Sequence, residues 1–161
     1  MAADEHQAAI LGYGAITPVP DAKERPDPAL RYRVCFRVIK AGAAADRPNP
    51  SLEKVARFLN LMAADGLRPA HGDTVVIING PATPLILLDG RYAERNKVDR
   101  NPNLPLIVAL RAAGVSVRVC SQALGGNHID PADVSPDIEV DVSALTTSAT
   151  LQLRGWALIP D

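Results

Sequence analysis

Aromatic residues are scarce in this sequence: Phe, Trp and Tyr together make up 4% of it. Ala, Val, Leu and Ile must therefore fill any core, within a hydrophobic content of 47% that is ordinary for a soluble globular chain. Cysteine is nearly missing as well. Cys35 and Cys120 are the only two, too few for a disulfide framework. Neither sign of charge dominates, with 17 Lys and Arg against 18 Asp and Glu and a net charge of -1. That balance argues against a nucleic-acid surface, which needs a basic excess or stripe. No run is long and apolar enough for a transmembrane helix, so no membrane partner is expected either. The start, Met1 to Gln7, lacks the basic and apolar regions of a signal peptide. The chain as written is expected in the cytoplasm, or in the periplasm if a leader has been removed.

Several chemical motifs are also missing. There is no G-x-x-x-x-G-K-[ST], no H-E-x-x-H and no G-x-S-x-G. Gly12-Tyr13-Gly14 follows no clear strand and lacks the third glycine of a dinucleotide fingerprint. His6 and His71 share no metal-ligand spacing with a cysteine. No metal and no cofactor is expected.

What remains is an α/β pattern in 161 residues, enough for one ordinary domain with a real core. Residues 1–30 read as an extended leader arm, because Pro18, Pro20, Pro26 and Pro28 forbid a regular helix. It is expected either to lie on its own domain or to grip a neighbouring subunit. Residues 31–161 read as the domain proper. Arg31 to Ile39 alternates Tyr32, Val34, Phe36 and Val38 against Arg33, Cys35 and Arg37, the period of a strand. Cys35 falls mid-strand, where a thiol is usually a small buried hydrophobe. Asn49 and Pro50 form a cap-then-proline start for a helix that Gly66 ends. Asn60, at the margin of its apolar stripe, is expected to bond a neighbouring loop.

Asp73 to Asn79 is apolar on both faces, as a central parallel strand should be, and Asn79 to Ala82 is a sharp turn. Pro84 to Leu88 reads as the start of a second helix, and Asp89 to Arg100 as an exposed loop. Asn101-Pro102-Asn103 opens a further helix with Leu104, Ile107, Val108 and Leu110 inward. Gly114 closes it, and the strand Val115 to Cys120 follows. Ser121 to Pro136 reads as a loop, with a turn of helix near Ala132. Asp137 to Val142 is a strand with Ile138 and Val140 inward, Ser143 to Leu153 a helix, and Gly155 to Ile159 a last short strand. The series implies a three-layer α/β/α domain with a mainly parallel sheet of about five strands. Arg33, Arg37, Ser116, Arg118 and Glu139 make one sheet face polar. Either that face is partly open to water, or it meets another subunit.

The candidate reactive atom is the Cys120 sulfur. It ends a strand, where open α/β folds keep ligands and chemistry. A thiol becomes a nucleophile when a cation or a helix N-terminus favours the thiolate. Ser121 would cap a following turn, Arg118 lies on the same strand face, and His128 in the next loop is a candidate proton partner. Otherwise Cys120 is a packed, inert thiol. A disulfide between Cys35 and Cys120 is disfavoured, since one lies mid-strand and the other at the edge, and the α-carbons must come within about 7 Å.

Five segments together resemble the DsrE/DsrF-like family of small sulfur-relay proteins: V-A-R-F-L-N-L from Val55, V-V-I-I-N-G-P-A from Val75, N-P-N from Asn101, G-V-S-V-R-V-C-S-Q from Gly114, and S-A-L-T-T from Ser143. The resemblance runs from about Arg31 to Ile159. It implies a homotrimer or hexamer, and a cysteine at the position of Cys120 that carries sulfur as a persulfide between donor and acceptor proteins or small thiols. Asn79 and Gly80 would floor the pocket, Arg118 would favour anions, and the hydroxyls of Ser121 and Thr147 would bond the sulfur. Two positions depart from the family pattern. Cys120-Ser121-Gln122 stands where Cys-Gly-Gln is common, and Asn79 stands where a histidine is common. The alternative expectation is a non-catalytic oligomeric binding module in which Cys120 is structural.

Overall fold

Val34, Phe36 and Val38 face one side of their strand while Cys35 and Arg37 face the other, and that division organises the whole molecule. The computed structural model describes residues 8–161; the stretch Met1–Gln7, His6 included, lies outside the described residues. The strands are β1 (Val34–Val38), β2 (Thr74–Ile78), β3 (Ser116–Cys120), β4 (Glu139–Asp141) and β5 (Ala157–Ile159). Among the described residues they form one sheet in the order β4-β3-β2-β1-β5, with every neighbouring pair parallel. The helices are α1 (Pro50–Ala64), α2 (Asp89–Asn96), α3 (Asn103–Ala112), α4 (Ser121–Gly126) and α5 (Ala144–Leu153).

One face of the sheet carries the main core. Val34, Phe36, Val38, Val76, Ile78, Val117 and Val119 meet Leu52, Val55, Ala56 and Leu59 of α1 and Leu106, Ile107 and Leu110 of α3. Burying one such side chain is worth about 1.5–3 kcal/mol, so this layer carries most of the stability. Helix α1 starts as its sequence dictates. The Asn49 side chain accepts a hydrogen bond from the Ser51 N–H at 2.9 Å, with Pro50 at the first helical position. The other face is thinner. Cys35, Val75, Ile77 and Cys120 pack beneath Ala144 and Leu151 of α5. Toward β4 that face turns into ion pairs, with Arg118 beside Glu139 and Asp141. This half of the face stays partly exposed in the single chain.

The leader packs on α1 of its own chain. Asn60 is buried and holds it by the backbone, accepting from the Ile10 N–H at 2.8 Å and donating to the carbonyls of Ile10, Tyr13 and Gly14. Ile10 is only 2% exposed and joins the main core. Gly14 has φ +62, and a Cβ there would collide with the backbone of Ala56 and Arg57, so only glycine fits this close approach.

Five expectations need correction. Pro84–Leu88 does not start a helix; Gly80–Ile86 is a 3-10 stretch, and the chain turns extended at Leu87. The segment expected to be a loop holds α2 instead. Only Tyr92 of α2 is buried, so no apolar period announced it. Helix α3 begins at Asn103, with the Asn101 side chain accepting from its N–H at 3.0 Å, and Val108 points out at 51% exposure while Leu106 takes its place inside. Ser121–Gly126 is helical rather than loop. Val140, expected inward with Ile138, is 51% exposed because β4 is the sheet margin.

Candidate functional site

The C-terminal edge of the sheet is built in rows. Val119 pairs with Ile78 and Ile78 with Val38; Cys120 pairs with Asp141. One residue further along the β2–β3 register, Asn79 comes beside Cys120. Side chains alternate across a strand, so Arg37, Asn79, Arg118, Cys120 and Asp141 all belong to the face that α5 covers.

Two tight connections close over Cys120. Helix α4 begins at Ser121, directly after the strand, with Cys120 in the cap position. On the neighbouring strand, Ser143 caps α5, its hydroxyl oxygen accepting from the Leu145 N–H at 3.1 Å. The two turns are tied together: Ser121 Oγ donates to the Val142 carbonyl at 2.8 Å, and Gln122 Nε2 donates to the same oxygen at 3.3 Å.

Burial pushes the Cys120 thiol pKa up, but hydrogen bonds from the backbone N–H groups of Ala144, Ala123 and Gln122 and from the Ser143 hydroxyl outweigh it, and the net result lies below the ordinary value. Donors that bond the charged form favour that form. The residue is only 5% exposed. Its cover is unlike a hydrocarbon wall, since part of it consists of N–H groups supplied by two helix starts. Cys35 is the contrast: it is fully buried, and desolvation raises its pKa.

The polar atoms of most other expected site residues are bonded elsewhere. Ser121 and Gln122 flank it but spend their polar atoms on joining the turns. Thr147 Oγ1 donates to Asp141 at 2.7 Å rather than turning to the thiol. Arg118 lies on the same face, with Nη1 3.6 Å from Asp141 and Nε 3.5 Å from Glu139. Two carboxylates therefore take up its charge, and it is not among the groups that lower the Cys120 pKa. Asn79 accepts from Arg37 at 2.9 Å. Gly80 turns the chain with φ +60, and its carbonyl accepts from Thr83 and Asn127. His128 is not brought to the sulfur. It follows the far end of α4, whose six residues span about 9 Å, and it lines a cavity of about 310 Å³ with Arg91, Glu94, Arg95 and Asp133.

Sequence reasoning missed Ser143, the Ala123 and Ala144 amides, and Ser148 as the partner of Arg37. Ser143 had a readable signal, a serine directly before a helical stretch. The others act through backbone or through contacts distant in sequence. Among the described residues, no group of three or more His, Cys, Asp or Glu side chains could hold a metal ion, and no helix is long and apolar enough to cross a membrane.

Comparison with known proteins supplies the family. None of the curated proteins matches the chain. Among solved structures, a protein of unknown function from Methanobacterium thermoautotrophicum, MTH1491, is similar in fold, with a TM-score of 0.57 and 22% identity over 81% of this chain and 99% of the other. The model of the DsrE/DsrF-like family matches residues 31–160, and the chain belongs to that family.

Proposed function

We propose that this protein is a sulfur carrier that holds sulfur as a persulfide on Cys120. One observation carries the reading: a thiol at the edge of a parallel sheet, its pKa lowered by three backbone N–H groups and a serine hydroxyl. The Cys120 thiolate attacks the outer sulfur of a donor persulfide R–S–SH. A Cys120–S–SH forms, and the donor leaves as R–S⁻. An acceptor thiolate then takes the outer sulfur and returns Cys120 as the thiolate. Asn79 stands beside the sulfur in the sheet register. The anion-stabilising part falls to Ser143 and the amides rather than to Arg118, Ser121 and Thr147. Mass spectrometry after incubation with a sulfane donor tests this. Wild type gains one sulfur, and Cys120→Ala gains none. A wild type without the gain, or a variant that keeps it, overturns the mechanism.

The 5% exposure of Cys120 favours a second reading, a binding module in which this thiol is structural. A thiol-reactive dye separates the two. Native labelling of Cys120 supports the carrier; labelling only after denaturation supports the module. Both readings take the protein as a homo-oligomer, trimer or hexamer. Val140, Val142 and Leu145, exposed at 51%, 75% and 77%, form an apolar margin beside the Cys120 turns in support of that. Sedimentation analysis reads the assembly size, and a monomer at working concentration would remove that part of the proposal.

A further inference from the structure

We infer that Arg37 is an anion-binding residue, holding a compact oxyanion next to Cys120. Among the described residues the arginines in ion pairs are Arg25, Arg31, Arg91, Arg111 and Arg118. Arg33 lies 4.8 Å from the Trp156 ring centre. Arg37 differs from all of these. It projects from β1, half-buried, onto the α5 face, and its two hydrogen bonds go to uncharged atoms: Nη1 to Ser148 Oγ at 3.2 Å and Nη2 to Asn79 Oδ1 at 2.9 Å. Its Nε is buried and has no partner. A covered, charge-bearing N–H without an acceptor is costly, so the site is incomplete without an acceptor.

The geometry specifies what completes it. A guanidinium has five N–H donors in a planar fork. Two are used, which leaves Nε–H and one N–H on each Nη. That arrangement suits an anion with two or more oxygens and suits a single point acceptor poorly. Ser148 on α5 and Asn79 after β2 hold the fork in place from two elements. Asn79 is also the residue beside Cys120 in the sheet register, so an oxyanion on Arg37 lies one side chain from the sulfur. The chemistry fits a free oxyanion or the oxyanion end of a sulfur donor. The inference deepens the carrier reading, but the binding itself requires no reaction at Cys120.

Calorimetric titration of the full chain with sodium sulfate and with sodium thiosulfate, at ionic strength matched with sodium chloride, tests it. Both anions bind saturably to wild type and to Cys120→Ala. Tighter binding of thiosulfate assigns the site to the donor's oxyanion end, and equal binding assigns it to a free oxyanion. Arg37→Lys, which keeps the charge and loses the fork, weakens binding by about tenfold or more. Should that variant fail to fold, the Arg37 Nε–H resonance of wild type shifts with sulfate and not with chloride. No saturation beyond chloride, undiminished affinity in a folded Arg37→Lys, or an unmoved Nε–H signal overturns the inference. Sulfate binding without sulfur loading would leave the inference standing and sink the carrier.

Discussion

Cys35 and Cys120 lie on the same face of the same sheet, under the same helix. They differ in where their strands place them. Cys35 sits inside β1, paired on both sides, with Val75 on one strand and Leu158 on the other. Burial is the largest influence on its sulfur and pushes the pKa up, against smaller opposing effects from its own backbone N–H and the Arg37 charge. Cys120 is the last residue of β3, where the chain leaves the ladder and starts a helix. There the backbone offers N–H groups with no intrahelical partner, and a second helix start on β4 adds another. Both thiols are buried, Cys35 the more deeply, and the direction of the shift is opposite. The donors at the strand end, together with the shallower burial, make Cys120 the thiol fit for anionic chemistry.

The largest expected difference is in reaction rate. Cys35 has to wait for a large opening of the core, whereas Cys120 needs only its two turns to part. With opening free energies of several kcal/mol for core strands, native alkylation of Cys120 should outrun that of Cys35 by about a thousandfold. Peptide mapping after timed iodoacetamide exposure reads the ratio, and comparable rates would dissolve the contrast. Serine substitution is the next largest break. Cys35→Ser puts a hydroxyl among the apolar side chains that surround Cys35, at a cost of about 1–3 kcal/mol. Cys120→Ser meets waiting N–H groups and should cost less than half as much. Urea unfolding of the two variants checks the order.

Much of this was legible from local sequence. Asn49 and Pro50 announced α1 because a cap and an N1 proline act within one turn. Cys120 stood out because a strand end can be read from alternation and a preceding glycine. The misses were of another kind. Helix α2 buries only Tyr92, so its pattern looked like a polar loop. Val140 has the parity of a core residue, but its place at the margin depends on strand order, which alternation does not encode. Ser143 and Ala144 reach Cys120 only because β4 pairs with β3. Arg37 stood on a polar strand face, open to water or meeting another subunit, and its enclosure depends on α5 and Asn79, which lie far off in sequence.

Removing the Ser143 hydroxyl sharpens the comparison at smaller scale. Ser143→Ala deletes the α5 cap and one donor to the thiolate. It should destabilise by about 1 kcal/mol and raise the Cys120 pKa toward its ordinary value. Alkylation rate against pH would then shift upward for Cys120 while the Cys35 profile stays put. An unmoved profile would mean that the backbone N–H groups alone set the thiol.

The smallest expected effect is in the alkaline stability profile, where the two thiols should pull in opposite directions. Cys120 titrates lower in the folded chain than in the unfolded one. Between those two pKa values the unfolded chain binds the extra proton, so stability rises with pH. This contribution is complete above the unfolded thiol value of about 8.5 and is lost as pH falls through the folded value. Cys35 titrates higher when folded, so its contribution is intact below about 8.5 and fades as pH rises toward its folded value. Wild type superimposes the two, so its stability should rise with pH up to about 8.5 and fall beyond it. Cys120→Ala should lack the rise below about pH 8.5 and keep the fall above it, and Cys35→Ala should keep the rise and hold level above it. Denaturant midpoints measured across that range decide it. Parallel slopes in both variants would mean that the strand-end amides do not set the charge on Cys120.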